Sequence, residues 1–291
     1  MSLQPAPIVA GYDRSPASLA AVHWAAAEAE RLHAALRIVE AFELIIATQP
    51  GPGTTVPLAA LRPARERGLS GLEYALRAQH PDLLVDTALV EGAPAQELTE
   101  ESAHARLIVL GSRGFGGWTG MLVGSVAVQV SSHAQCPVVV VPSEIRPRAH
   151  EKPTVIVGVD GSKVSAQAID FAFDQAEAIG AKVVAVHAWT TPYLTYADGE
   201  SMLQFDDEDA KESARLLVAE SLAGALADHP DVECETRLIN GHAARAILLA
   251  AEYADLTVVG SRGRGGFTGL LLGSVSQHVL HHAHCAVAIV R

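Results

Sequence analysis

The stretch GSRGFGGWTGMLVGSV at 111–126 returns as GSRGRGGFTGLLLGSV at 260–275, each time at the end of an apolar run. The offset between them, 260 − 111 = 149, nearly equals that between the aspartates of IVAGYD and VIVGVD, Asp13 and Asp160, at 160 − 13 = 147. Repeats of this length are whole domains, not the units of about 20–50 residues that stack into solenoids. The 291 residues therefore divide into two domains, 1–142 and 154–291. The linker 143–153 is short, polar and punctuated by Pro147 and Pro153.

Periodicity gives each repeat five strand-like runs. In the first they are Ile8 to Tyr12, Leu36 to Phe42, Leu83 to Val90, Leu107 to Leu110 and Val138 to Val141. In the second they are Val155 to Val159, Val183 to Trp189, Val232 to Ile239, Leu256 to Val259 and Val287 to Val290. Alanine-rich segments with helical spacing lie between them. Continuous β-branched runs such as VIVGV suit strands buried on both faces, and intervening helices impose right-handed parallel crossovers. The expected fold is α/β: two tandem open, parallel five-stranded sheets with helices on both faces. Ser15 followed by Pro16, and Ser162 in the second copy, are helix N-caps directly behind the aspartates.

In such sheets ligands sit beyond the carboxyl ends of the strands, where the winding reverses. Here that brings Asp13 to Gly111 and Asp160 to Gly260. GSRGFGG and GSRGRGG can take left-handed and extended backbone conformations, so that successive N–H groups form an anion-binding nest. The GSV that follows puts Ser125 and Ser274 at helix N-termini, where open amides and the helix dipole favour phosphate. A polyphosphate is the best-matched ligand. Asp13 or Asp160, opposite it, suits ribose hydroxyls or a Mg²⁺ ion bridging phosphates. Arg113 and Arg262 lie inside the loops, either on phosphate or in solvent. Where the first loop has Phe115 and Trp118, the second has Arg264 and Phe267, which makes Arg264 a candidate extra phosphate contact.

Other nucleotide motifs drop out. No Gly-Lys-Ser/Thr exists for a P-loop, and the loop spacing does not fit the dinucleotide fingerprint. The net charge of -12 opposes binding to nucleic acid or anionic lipid. No apolar stretch approaches the about 20 residues of a membrane helix, and a cytoplasmic location is expected. Cys136 and Cys285 occupy matching places before each last strand and read as buried structural thiols, with Cys234 left over. His278, His281, His282 and His284 form a cluster, but without the glutamate of HExxH they read as partly exposed helix histidines.

GxxG, nine residues, then GS, together with the early strand-end aspartate, resembles the ATP-binding class of universal stress proteins. The resemblance covers both repeats, as in tandem universal stress proteins of the actinobacterial type. It implies an adenine nucleotide alpha hydrolase-like fold and one ATP site per repeat. By that resemblance Gly11, Asp13, Gly111, Ser112, Gly114, Gly116, Gly117, Gly124, Ser125 and Val126 hold ribose and phosphates in the first copy, with Ala41 meeting adenine. Gly158, Asp160, Gly260, Ser261, Gly263, Gly265, Gly266, Gly273, Ser274 and Val275 do so in the second, with Ala188 at adenine. It also implies that the last strands pair the repeats as a pseudo-dimer; a homodimer of chains is compatible with this.

Nothing in the sequence marks a catalytic group. Hydrolysis needs an oriented water and charge stabilisation in the transition state, and neither a Ser/His/Asp set nor paired carboxylates accompany the loops. Three readings stand: an ATP-binding regulator with at most slow hydrolysis, an ATP-dependent hydrolase or transferase, and a scaffold without nucleotide.

Overall fold

A computed structural model of the chain describes residues 6–43, 58–114, 123–143, 152–190, 193–195, 202–204, 207–264 and 271–291. Most of the linker (144–151), the stretch 44–57 after the second strand, and Gly116, Gly117, Gly265 and Gly266 lie outside the described residues, as do Phe115, Trp118 and Phe267. The chain divides into two compact units, Met1–Ser143 and Glu144–Arg291.

The first unit runs β1 (Ile8–Gly11), α1 (Pro16–Arg31), β2 (Leu36–Phe42), α2 (Leu58–Gln79), β3 (Val85–Glu91), α3 (Pro94–Glu101), β4 (Leu107–Gly111), α4 (Ser125–His133) and β5 (Val138–Val141). Its strands are parallel in the order β3-β2-β1-β4-β5. The all-apolar strands behave as their composition requires: every residue of β1 and β5 is buried, as expected where helices cover both faces of a parallel sheet. Helix α1 reaches the sheet through small side chains, burying Ala17, Ala21, Ala25, Ala26 and Ala29. The approach is so close that a Cβ on Gly111 would stand 2.5 Å from the Ala17 carbonyl carbon.

The second unit repeats the plan with β6 (Thr154–Gly158), α5 (Lys163–Ile179), β7 (Lys182–Trp189), β8 (Tyr193–Thr195), β9 (Met202–Gln204), α6 (Asp207–Asp228), β10 (Cys234–Asn240), α7 (Ala243–Ala250), β11 (Leu256–Gly260), α8 (Ser274–His282) and β12 (Ala286–Val290). The parallel order is β10-β7-β6-β11-β12. The strands β8 and β9 form a short antiparallel pair apart from this sheet. Phe173, Ile156, Ile169 and Ile289 are among its fully buried core side chains, each burial contributing about 1.5–3 kcal/mol.

Cys136 and Cys285 are both buried. Burial pushes the Cys285 thiol up to about 11 although Thr257 Oγ1 lies 3.2 Å from its sulfur. On α8, His278 and His282 are exposed and stack ring on ring at 4.2 Å. Among the described residues no three His, Cys, Asp or Glu side chains gather as a metal site, and no helix is long and apolar enough to cross a membrane.

Candidate functional site

In each unit the first strand is flanked on one side by the second and on the other by the fourth. The chain therefore leaves β1 and β6 at a reversal of winding, where a crevice opens beyond the strand ends. Equal registers, Gly11 with Val39 and Gly158 with Val186, put matching residues of the two repeats at matching points of their crevices.

The strand-end aspartates are fixed by the helices behind them. Asp13 Oδ1 accepts the Ser15 N–H at 3.0 Å, and Ser15 Oγ caps α1 by accepting the Ser18 N–H at 3.1 Å. In the second repeat Asp160 Oδ1 accepts from Ser162 N at 2.9 Å and Ser162 Oγ from Ser165 N at 3.1 Å. The other oxygen of each carboxylate faces the glycine-rich loop, where a Cβ on Gly114 would collide with Asp13 Oδ2 and one on Gly263 with Asp160 Oδ2. Each aspartate thus joins a helix start to a loop. A cation here would find the Asp13 or Asp160 carboxylate, without a group of three His, Cys, Asp or Glu side chains among the described residues.

The loops close on themselves. Gly124 N–H donates to Ser112 O and Gly273 N–H to Ser261 O, both at 2.7 Å. Ser112 and Ser261 are buried in these stems, and their own N–H groups donate to Val141 O at 2.8 Å and Val290 O at 2.6 Å. Gly124 and Gly273 are then the N-caps of α4 and α8, and neither helix has a side-chain acceptor at its cap. Helices α1 and α5, by contrast, are capped by serines. The starts of α4 and α8, at Ser125, Val126, Ser274 and Val275, carry the donors and positive dipole end that bind anions.

In the second unit these elements bound a cleft of about 540 Å³, within the about 300–1,000 Å³ of small-molecule sites. It brings together Gly158, Asp160, Ala188, Gly260, Arg262, Gly263, Arg264, Gly273, Ser274 and Val275 from the sequence-derived set. Ser261 lies in the stem below. Val186, His187, Ile247 and Val259 also line it. Their only sequence signal is that Val186, His187 and Val259 belong to apolar strand runs and Ile247 to a helical segment. In the first unit Gly11, Asp13, Ala41, Gly111, Arg113, Gly114, Gly124, Ser125 and Val126 occupy the corresponding strand and helix ends.

The repeats differ in their charges. Arg14, directly after Asp13, has φ 72°, a left-handed conformation that costs a non-glycine residue about 1–2 kcal/mol. Its Nε and Nη2 donate to both oxygens of Glu40 at 3.1 and 3.2 Å, and Arg65 binds the same carboxylate. Glu40 is 1% exposed. Burial raises the Tyr12 hydroxyl, which Arg14 lowers and Glu40 and Asp13 raise further. At the matching points of the second repeat stand Gly161, φ 73°, and His187, whose Nδ1 lies 2.7 Å from Val159 O. The guanidinium there comes instead from the loop: Arg264 Nη2 donates to Gly161 O at 3.1 Å and its backbone N–H to Asp160 Oδ2 at 3.0 Å.

Residues 6–142 and 153–291 each match the family described as the Universal stress protein family. The chain is similar to universal stress protein Rv2623 of Mycobacterium tuberculosis, 35% identical over 98% of this chain and 96% of that protein. A universal stress protein of Mycolicibacterium smegmatis has the same identity and coverage. Among solved structures, a universal stress protein from Archaeoglobus fulgidus has the same fold, with a TM-score of 0.64 at 19% identity over 98% of this chain and 96% of its own.

Proposed function

Because the chain belongs to the universal stress protein family, with two such domains in tandem, we propose that it is a cytoplasmic regulator that binds one adenine nucleotide in each repeat. ATP is the ligand of best fit, with Mg²⁺ carried in on its phosphates. The observation that carries this reading is the pair of glycine-capped helices, α4 and α8, which have no side-chain acceptor and start at the site. Their amides suit phosphates. The apolar wall of Val186, Ile247 and Val259 in the second cleft suits a base, and Ala41 and Ala188 would meet it at their strand ends. Asp13 and Asp160 would turn to the ribose or hold the Mg²⁺.

Gly116, Gly117, Gly265 and Gly266 are proposed to complete the phosphate nests with Gly114 and Gly263. No general base or paired carboxylates accompany the described groups, so ATP turnover is expected to be slow. Bound nucleotide would then act by favouring the conformation that binds it.

The test is isothermal titration of the full chain with ATP and Mg²⁺ after co-purifying nucleotide has been stripped and identified, with phosphate release followed in parallel. Two sites per chain with little turnover support a regulator. Absence of binding overturns the nucleotide reading, and rapid saturable turnover replaces the regulator with an enzyme.

A further inference from the structure

Besides Arg113 and Arg262, which match, each repeat has at its strand end or loop one arginine that the other lacks, and the two come from opposite sides. In the first it comes from the strand end, as Arg14, and the loop carries Phe115. In the second the strand end is Gly161, and the loop carries Arg264. In the second repeat the two positions meet: a Cβ on Gly161 would stand 2.5 Å from Arg264 Nη2, and the guanidinium would have to shift. Arg14 lies beside Gly68 on α2, and a Cβ on Gly161 would meet both Arg264 and Leu217 of α6.

What each guanidinium holds is different. Arg14 grips a carboxylate that is 1% exposed. To leave it, Arg14 would have to give up two charge-assisted hydrogen bonds in a partly buried place. Arg264 is exposed, and its side chain holds a backbone carbonyl. Exchanging that neutral acceptor for a phosphate oxygen gains a charge-assisted bond. The Arg264 backbone, tied to Asp160 Oδ2, keeps the base of the side chain at the cleft it lines. Arg262 has its counterpart in Arg113, so it does not separate the repeats.

We propose that Arg264 is the specificity-determining residue by which the second repeat discriminates among nucleotides by the number of their phosphates, whereas the first repeat, its guanidinium locked on Glu40, discriminates less. This rests on the nucleotide-binding reading of the cleft. The chain would then carry two unequal sites: one follows adenine nucleotide of any phosphate length, the other follows the triphosphate.

The test is calorimetric titration of the full chain and of Arg264→Gln and Arg264→Lys with ATP, ADP and AMP in Mg²⁺. In Arg264→Gln, ATP affinity at one of the two sites should fall about tenfold, the scale of one charge-assisted bond. ADP should lose less and AMP should be unchanged. Arg264→Lys, which keeps the charge, should retain most of the preference for ATP. Equal losses for all three nucleotides would mean that Arg264 only shapes the loop, and would overturn the inference while leaving nucleotide binding intact. Unchanged ATP affinity would overturn it in the same way. If the unaltered chain binds none of the three, the nucleotide reading fails first and the inference fails with it.

Discussion

Gly263 passes so close over Asp160 that no side chain fits between them: a Cβ there would fall on Oδ2, the same oxygen that accepts the Arg264 N–H at 3.0 Å. The loop and the strand end are therefore one unit. Gly263→Ala must move either the carboxylate or the loop. Either movement takes Asp160 off the Ser162 N–H or lifts the loop from its place. Nucleotide affinity in the second repeat should fall by about 1–2 kcal/mol, read by titration with ATP, with Gly114→Ala acting likewise on the first. Undiminished affinity in both variants would separate the aspartates from the ligand.

The two helix caps should not be equivalent. Ser162 Oγ accepts from Ser165 N, whereas Ser15 Oγ, besides accepting from Ser18 N, donates to Arg113 O at 3.1 Å in the glycine-rich loop. Ser162→Ala should cost about 1 kcal/mol, the usual worth of a cap. Ser15→Ala should cost about one further hydrogen bond, roughly 1 kcal/mol more. Urea denaturation of the two variants provides the comparison; equal costs would mean that the bond to Arg113 contributes nothing.

The sheets and the loops were legible in the sequence because they rest on short-range signals: apolar runs, glycines and caps. The limits of that reading are physical. The runs at Leu83 and Val232 start two residues before their strands, since Leu83 N–H and Val232 N–H close turns onto His80 O and His229 O. Those histidines pair with Glu30 at 2.8 Å and Glu177 at 3.1 Å, tying the first helix to the second in both repeats. The repeated His-Pro-Asp was visible, but not its partner. Arg14, Glu40 and Arg65 meet across separations of 26 and 25 residues. No periodicity encodes such a meeting; the lone acid in LRIVEAF was its single trace. The strands β8 and β9, three residues each, are too short to show an alternation.

Asp170 should make the second repeat respond to pH. Burial pushes its carboxyl up from 3.8, Asp174 and Asp228 push it further, and His229 opposes them. A raised folded value means that the native chain holds the proton more tightly than the unfolded chain does. The stabilisation is full below the unfolded value and is lost as pH rises through the folded one. Asp170→Asn removes that loss. Its melting temperature relative to the parent should rise between pH 3 and pH 7, and a difference independent of pH would contradict the assignment.

A marked effect on stability should come from Glu40. Its carboxylate is 1% exposed and balances two guanidinium groups. Glu40→Gln keeps the volume and one acceptor but removes the charge, leaving Arg14 and Arg65 facing each other. Breaking a buried pair costs about 3–5 kcal/mol. Both arginines, however, are 35% exposed at the side chain, so water screens part of the repulsion and about 2 kcal/mol is expected. Arg14→Gly should be far milder, because Arg65 still serves the carboxylate and glycine relieves the left-handed backbone that the second repeat already fills with Gly161. Denaturant unfolding of both variants decides it. If Arg14→Gly proved as damaging as Glu40→Gln, the arginine and not the buried carboxylate would be the centre of the cluster.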